Sequence, residues 1–437
     1  MRKDRSKKLA TVLTAGIMAL SILGCTAAAD TQVQAAGTET AVTTEAATTA
    51  ALIDSSTLFS DRDLEQEADL TDAVYYTVED NTDIHITEEG VYVLTGSAEE
   101  VTVYVEAEDD AKVQLVLDGL AVTNKDFPCI YVLNADKVFI TTTDSDNTLK
   151  VTDTFAADGD TNTDAVIFSK DDLVLNGTGT LTVESSDNGI SSKDDLKVTG
   201  GTYIVTAASK AFEANDSIVI SDGSFTVTAG KDAFHAENDE DDSLGYMWIG
   251  SGTFVIEAED DGIQANAFLQ IDGGSFDITA AEGIESTGIM INDGSFTISA
   301  SDDGINAAAK SSAYSVNIEI NGGEIDITMG QGDTDGIDSN GDIAINGGTV
   351  RVSGNSAFDY DGKASLNGGT VYVNGQEVTS LTNQMMGGMG GFMQGGQMPG
   401  MMPGTMPEDG TMAPPEGEGR PASGNGMQGG RPGGPRR

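Results

Sequence analysis

Phe268-Leu269-Gln270-Ile271-Asp272-Gly273-Gly274-Ser275-Phe276-Asp277-Ile278-Thr279 holds two short runs in which apolar and polar residues alternate, separated by a Gly-rich tight turn. Alternation with period two and β-branched or aromatic residues on the apolar side describes a half-buried strand. The turn then recurs. Taking the glycine before the small or polar residue, it stands at 179, 201, 223, 252, 274, 294, 323, 348 and 369. The base spacing is 21–22 residues, and longer gaps hold insertions such as Glu237–Tyr246. A unit this short with two or three strands buries no core alone, but stacked on its neighbours it closes a continuous one. Leucine-rich repeats would need a Leu spacing and an Asn ladder that this pattern does not display. Propeller blades would need about 40 residues. The reading is an all-β solenoid, a parallel β-helix with one coil per unit, rising about 4.8 Å per coil. Residues 60–170 read as earlier, less regular coils, with alternation in Val101-Thr102-Val103-Tyr104-Val105 and Val113-Gln114-Leu115-Val116-Leu117.

The two ends differ from this middle. Five bases between Arg2 and Lys8 precede an apolar run that ends Ile22-Leu23-Gly24-Cys25. A basic head and a short apolar run form a secretory signal, and the last four residues resemble a bacterial lipobox. The expected organisation is a lipoprotein signal at 1–24, an Ala/Thr-rich flexible stalk at 25–56, the β-helix at 57–378 and a Met/Gly/Pro-rich disordered tail at 379–437. Cys25 would carry the lipid and anchor a monomer on the extracellular face of the bacterial membrane. That leaves Cys129 without a partner for a disulfide.

The chain is strongly acidic, with a formal net charge of −49. Such a charge excludes nucleic acid and anionic membrane surfaces as direct partners. The acids also recur in register. A second turn in each unit places a polar residue before Gly/Ala-Ile/Phe, as in Asp232-Ala233-Phe234, Asp261-Gly262-Ile263, Glu282-Gly283-Ile284, Asp303-Gly304-Ile305 and Asp335-Gly336-Ile337. The Ile/Phe position is an inward stack. Asp260 and Asp302 lie one residue earlier, and Glu213, His235, Gln264, Glu285, Asn306, Asp338 and Asp359 form a column two residues after the small one. Carboxylates one strand spacing apart repel by roughly 3–4 kcal/mol at an effective dielectric near 20. Ca²⁺ relieves this with six to eight oxygen ligands. The candidate metal ligands are Asp232, Asp260, Asp261, Glu282, Asp302, Asp303, Asp333, Asp335, Asp338 and Asp359. The competing reading is a solvated acidic face. The spacing matches neither an EF-hand loop nor an RTX nonapeptide.

Phe59-Ser60-Asp61-Arg62-Asp63-Leu64, Ile86-Thr87-Glu88-Glu89-Gly90-Val91-Tyr92-Val93-Leu94-Thr95-Gly96, Lys112-Val113-Gln114-Leu115-Val116-Leu117-Asp118-Gly119 and Ala135-Asp136-Lys137-Val138, followed by the Gly-Gly-[Ser/Thr] coils, carry a resemblance. Over roughly 57–378 the chain resembles the exported clostridial carbohydrate-binding domain-containing proteins. The resemblance implies a right-handed β-helix of the pectate-lyase kind, bound calcium, and binding of plant cell-wall polysaccharide, notably polygalacturonate and cellulose, without established catalysis.

Three functions follow as expectations. The first is calcium-dependent, non-catalytic binding of an acidic cell-wall polysaccharide, the metal offsetting the repulsion between two polyanions. The second is a polysaccharide lyase whose base is Lys231 or Lys210, since β-elimination needs a base beside a metal-acidified proton. The third is a calcium-stiffened spacer or adhesin. Tyr246 and Trp248, in or beside the Glu237–Tyr246 insertion, are a candidate sugar platform together with Lys231; alternatively Trp248 begins a strand and is core. His235 reads as a polar surface residue.

Overall fold

The computed structural model describes residues 53–332 and 334–383. Cys25, Asp333, the stalk up to residue 52 and the Met-rich tail from residue 384 lie outside the described residues.

Three parallel sheets run the length of a β-helix. The first contains Thr202–Ala207, Ser224–Ala229, Thr253–Ala258, Ser275–Ala280 and Ser295–Ala300. Ser224–Ala229, Ser275–Ala280 and Ser295–Ala300 each bury every second residue, as the alternation requires. Phe225, Phe254, Phe276 and Phe296 are register partners. Their rings stack nearly parallel with centroids 4.7, 4.6 and 4.5 Å apart. Full burial of each ring contributes about 2–3 kcal/mol relative to exposure. The glycine of the recurring turn is required by conformation at Gly274. Its φ is +113°, and a Cβ there would lie 3.0 Å from the Phe276 ring.

The second sheet contains Asn188–Ser192, Phe212–Ala214, Phe234–Ala236, the first halves of Asp261–Ile271 and Glu282–Ile291, Asp303–Ala307 and Asp335–Ser339. Its inward column, Ile190, Phe212, Phe234, Ile263, Ile284, Ile305, Ile337 and Phe358, is fully buried, so these residues are the core stack the sequence predicts.

The third sheet contains Lys137–Thr142, Asp172–Gly177, Asp195–Val198, Ser217–Ile220, Tyr246–Ile249 and the second half of Asp261–Ile271. Its outward column is Phe139, Val174, Lys197, Val219, Trp248 and Gln270. Residues 53–66 lie across this column as a strap rather than forming a coil of their own. The Ile53 amide donates to Gln270 Oε1 at 2.7 Å, and Phe59 meets Trp248 edge-on at 5.9 Å. Ser60 and Asp63 cap a 3₁₀ turn at Asp61–Leu64 reciprocally. Asp63, buried, sits 3.1 Å from Lys137 Nζ and 3.9 Å from Lys197 Nζ. Gln66 closes the strap, accepting from the Gly177 amide at 3.0 Å and donating to the Thr199 carbonyl at 3.1 Å.

An asparagine ladder, which the sequence reading did not find, runs along the later turns. Asn321, Asn346 and Asn367 each donate an Nδ2 proton to the Oδ1 of the residue one coil earlier at 2.8 Å, starting from Asn292. Its residues stand two before the turn glycine, where turn chemistry masks the ladder. A hairpin of Thr370–Val373 with Gln376–Val378 is antiparallel and ends the described solenoid.

Candidate functional site

The outward side of the second sheet carries two polar columns. The one before the small residue pairs Asp261 with Glu282 and Asp303 with Asp335 in register. The other runs Ser191, Glu213, His235, Gln264, Glu285, Asn306, Asp338 and Asp359. The columns stand three residues apart, a step that strict alternation would send to opposite faces. The small residue between them turns towards the core instead, where a Cβ on Gly262 would meet Ile278, and this break in alternation leaves the two columns within reach of each other.

Two sets of carboxylates converge. Asp232, Asp260 and Asp261 place oxygens within 4.8 Å of one another, and so do Asp261, Glu282 and Glu285. Asp261 is shared, and it is buried. Burial and the neighbouring Glu285, Glu282, Asp232 and Asp260 push its carboxyl up to about 9. Burial, then Glu285, pushes Glu282 up to about 7. Asp303 rises to about 6 through burial, against a hydrogen bond from the Asp335 amide. Asp338 rises to about 7 through burial and the Asp303, Asp359 and Asp335 charges. These groups resist ionisation because too little positive charge faces them.

The amides around the second set fit an oxygen-ligated ion. Gln264 donates to Glu285 at 2.7 Å. Asn306 Nδ2 donates to Glu282 at 3.0 Å and to Glu285 at 3.3 Å, while its buried Oδ1 has no hydrogen-bond partner. A half-turn of that amide about its last bond presents the oxygen to the carboxylates, converting a donor into a ligand. Two oxygens on opposite sides of Ca²⁺, each at about 2.4 Å, lie about 4.8 Å apart, which suits this set.

The other expected ligands are more dispersed. Asp302 is exposed, as is Asp260 of the first set, while Asp335, Asp338 and Asp359 are half-buried. Asp335 accepts from Ser356 Oγ. Asp359 accepts from the Tyr360 amide at 2.8 Å.

The lysines occupy different settings. Lys210 is held by Glu213 at 3.1 Å, and Lys193 meets the same carboxylate at 3.1 Å. Burial pushes Glu213 up, but the two ammoniums outweigh it and hold it near 2. Lys231 is exposed.

Two expectations about individual residues are corrected. Tyr246 and Trp248 do not project from a loop. They lie in the strand Tyr246–Ile249, and Trp248 is 7% exposed, covered by Phe59 and donating Nε1–H to Asp272 at 2.8 Å. The strap therefore removes the open ring face that a sugar platform needs. His235 is not a surface residue. It is buried, with Nδ1 2.7 Å from Asp232 and Nε2 3.0 Å from Glu237. Burial opposes its protonation, yet the two carboxylates outweigh that and raise its pKa.

Sequence reading missed two features. Lys310, on the 308–316 insertion, pairs with Glu285, and only the fold brings that insertion to the acids. A third acidic group, Asp172, Asp194 and Asp195, lies where two adjacent strands of the third sheet begin. Its signal was the repeated Asp171-Asp172 and Asp194-Asp195 pairs one coil apart. Burial pushes Asp172 up to about 6 and Asp194 up to about 8, with like charges adding to it.

Comparison with known proteins places this geometry in a family. A family model described as carbohydrate-binding domain-containing protein matches residues 79–336 and 288–379. A carbohydrate-binding domain-containing protein of Acetivibrio thermocellus is 35% identical over 127 residues, covering 28% of this chain and 44% of that protein. The chain thus spans less than half the length of that relative. A solved structure of the polysaccharide lyase-like protein from C. thermocellum, a gadolinium derivative, aligns at 24% identity and a TM-score of 0.40, over 67% of this chain and 99% of that one. With the family model matching well over half its length, the chain belongs to the carbohydrate-binding domain-containing family.

Proposed function

We propose that this protein binds an acidic cell-wall polysaccharide in a calcium-dependent, non-catalytic manner, through the acidic columns of the second sheet. The observation that carries the reading is the set Asp261, Glu282 and Glu285, whose oxygens lie within 4.8 Å of one another beside an unpartnered amide oxygen of Asn306. These four residues would hold the ion. Bound there, calcium supplies the positive charge that a carboxylate-bearing glycan needs to approach a chain of net charge −49. The solenoid stacks the polar columns at one strand spacing per coil, a repeat suited to an extended polymer. Lys210 is engaged by Glu213 and so is poorly placed to accept a proton, which favours binding over lyase chemistry. The same proposal places the protein on the outer face of the bacterial membrane, tethered as a monomer through a lipidated Cys25.

Retention of the full chain on polygalacturonate, in calcium and in EDTA, tests the reading, with the absorbance of unsaturated uronate product followed in parallel. Retention in calcium alone, without product, is the expected result. Product formation would replace binding by elimination, with Lys231 and Lys210 as the first residues to change. Absence of both signals would favour a calcium-stiffened spacer or a neutral glycan.

A further inference from the structure

We propose that Lys310 is a tethered counter-ion which a divalent cation displaces from Glu285, and that the released ammonium becomes the contact for a carboxylate of the glycan. The inference rests on the calcium reading above and adds to it a residue that sets both metal affinity and glycan charge preference.

Three observations support it. Between Asp232 and Val350 the sequence contains a single lysine or arginine, Lys310. Its ammonium pairs with Glu285, and the charges that act on it are Glu285, Asp261 and Glu282, the same three carboxylates whose oxygens converge. An ammonium and a metal ion therefore compete for one set of ligands. One ammonium does not neutralise the set, since it faces three carboxylates whose oxygens lie within 4.8 Å of one another.

The backbone beneath Lys310 is fixed while its side chain is free to move. The Lys310 and Ser311 amides donate to Thr287 Oγ1 at 3.0 and 2.8 Å. Ser311 Oγ donates to the Asp242 carbonyl at 2.6 Å, tying this insertion to the one at Glu237–Tyr246. Tyr314 stacks on Phe268 with centroids 5.6 Å apart. The Lys310 side chain keeps 29% of its surface exposed, against 7% for Glu285. Its four-carbon stem thus swings from a firm base towards solvent, and a divalent ion with several oxygen ligands outcompetes one ammonium for buried carboxylates. Once displaced, the ammonium stands beside the metal row with no other base in those coils to share an anionic ligand.

The test is calorimetric titration of the full chain with calcium chloride alone, for the parent, Lys310→Gln and Lys310→Arg, followed by retention on polygalacturonate in calcium. Glutamine still donates a hydrogen bond to Glu285, so folding is preserved, and arginine keeps the charge. Lys310→Gln is expected to bind calcium about tenfold more tightly, because a like charge leaves the site. Its retention on polygalacturonate should fall severalfold, while Lys310→Arg binds calcium no more tightly than the parent and keeps its retention. Equal calcium affinity of Lys310→Gln and the parent, both binding, overturns the displacement and leaves the calcium reading standing. Tighter calcium with unchanged retention overturns the glycan contact. No calcium bound by any of the three overturns both this inference and the reading beneath it.

Discussion

Around Asp63 and Glu213, each buried carboxylate meets two ammoniums; between Asp261 and Asp338, carboxylates meet mainly one another. In the first region Lys137 and Lys197 face Asp63, and Lys193 and Lys210 face Glu213, and both acids are held below their ordinary range. In the second, Asp261, Glu282, Asp303 and Asp338 all rise. The backbone is the same parallel coil in both, so the difference lies in which side chains the sequence supplies. Asp63 and Glu213 are neutralised from within the chain, whereas the columns from Asp261 to Asp338, like the smaller Asp172, Asp194 and Asp195 group, leave carboxylates facing one another.

The largest way to break this contrast is Asp63→Ala, which strands two largely buried ammoniums and removes the cap of the strap. A loss of about 3–5 kcal/mol in a denaturant titration is expected, identical in calcium and in EDTA. A loss that appears only in calcium would mean that the strap region is not self-neutralised.

Calcium is the next lever. At a hundredfold excess over its dissociation constant it should add about 2.7 kcal/mol to the parent. Asp261→Ala combined with Asp303→Ala should abolish that gain and leave stability in EDTA equal to or above the parent, because mutual repulsion is relieved. Equal melting of this double variant and the parent in calcium would remove both residues from the ligand set.

The pH dependence has opposite signs in the two regions. Asp261, Glu282 and Asp338 have raised folded-state values, so in EDTA their contribution is fully present below about pH 4 and is lost as pH rises through about 7 to 9. A decline on the order of 2 kcal/mol over that window is expected, and calcium should flatten it. Glu213 behaves in reverse, contributing stability above about pH 4.5 that is lost as pH falls towards about 2. Flat stability between pH 5 and 9 in EDTA would show that the second region's acids are already compensated.

Glu213→Gln should give the smallest effect, a loss of about 1 kcal/mol, since the amide oxygen still accepts from a lysine. Calcium should not change it.

The solenoid was legible because a strand alternates every two residues and the turn glycine repeats in step, so the Phe and Ile core stacks could be read directly. The acidic columns were legible for the same reason. The strap was not, because residues 53–66 pack by contacts more than a hundred positions away, such as Gln66 with Thr199 and Ile53 with Gln270, and no local period records them. The same strap decides between the two readings of Trp248 in favour of the core, because Phe59 covers its ring. Lys310 escaped notice because it sits in an insertion, outside every column. His235 was read as exposed because its column faces outward, but Asp232 and Glu237 close over it.

A stack of coils in which each touches only its neighbours behaves as a one-dimensional zipper, free to fray from either end. The strap changes that for part of the molecule. Residues 53–66 reach Lys137, Gly177, Thr199, Trp248 and Gln270, so one segment spans six successive rungs of the third sheet and grips five of them, none of which peels away without releasing it. Hydrogen exchange should therefore find the rungs from Lys137 to Gln270 opening together as a single block. The later rungs, joined by neighbour contacts and the asparagine ladder, should open stepwise from the closing hairpin inward. Under tension applied at Ile53, force enters at the side of the Gln270 rung, and the first event is a shearing of the brace rather than the unwinding of an end coil.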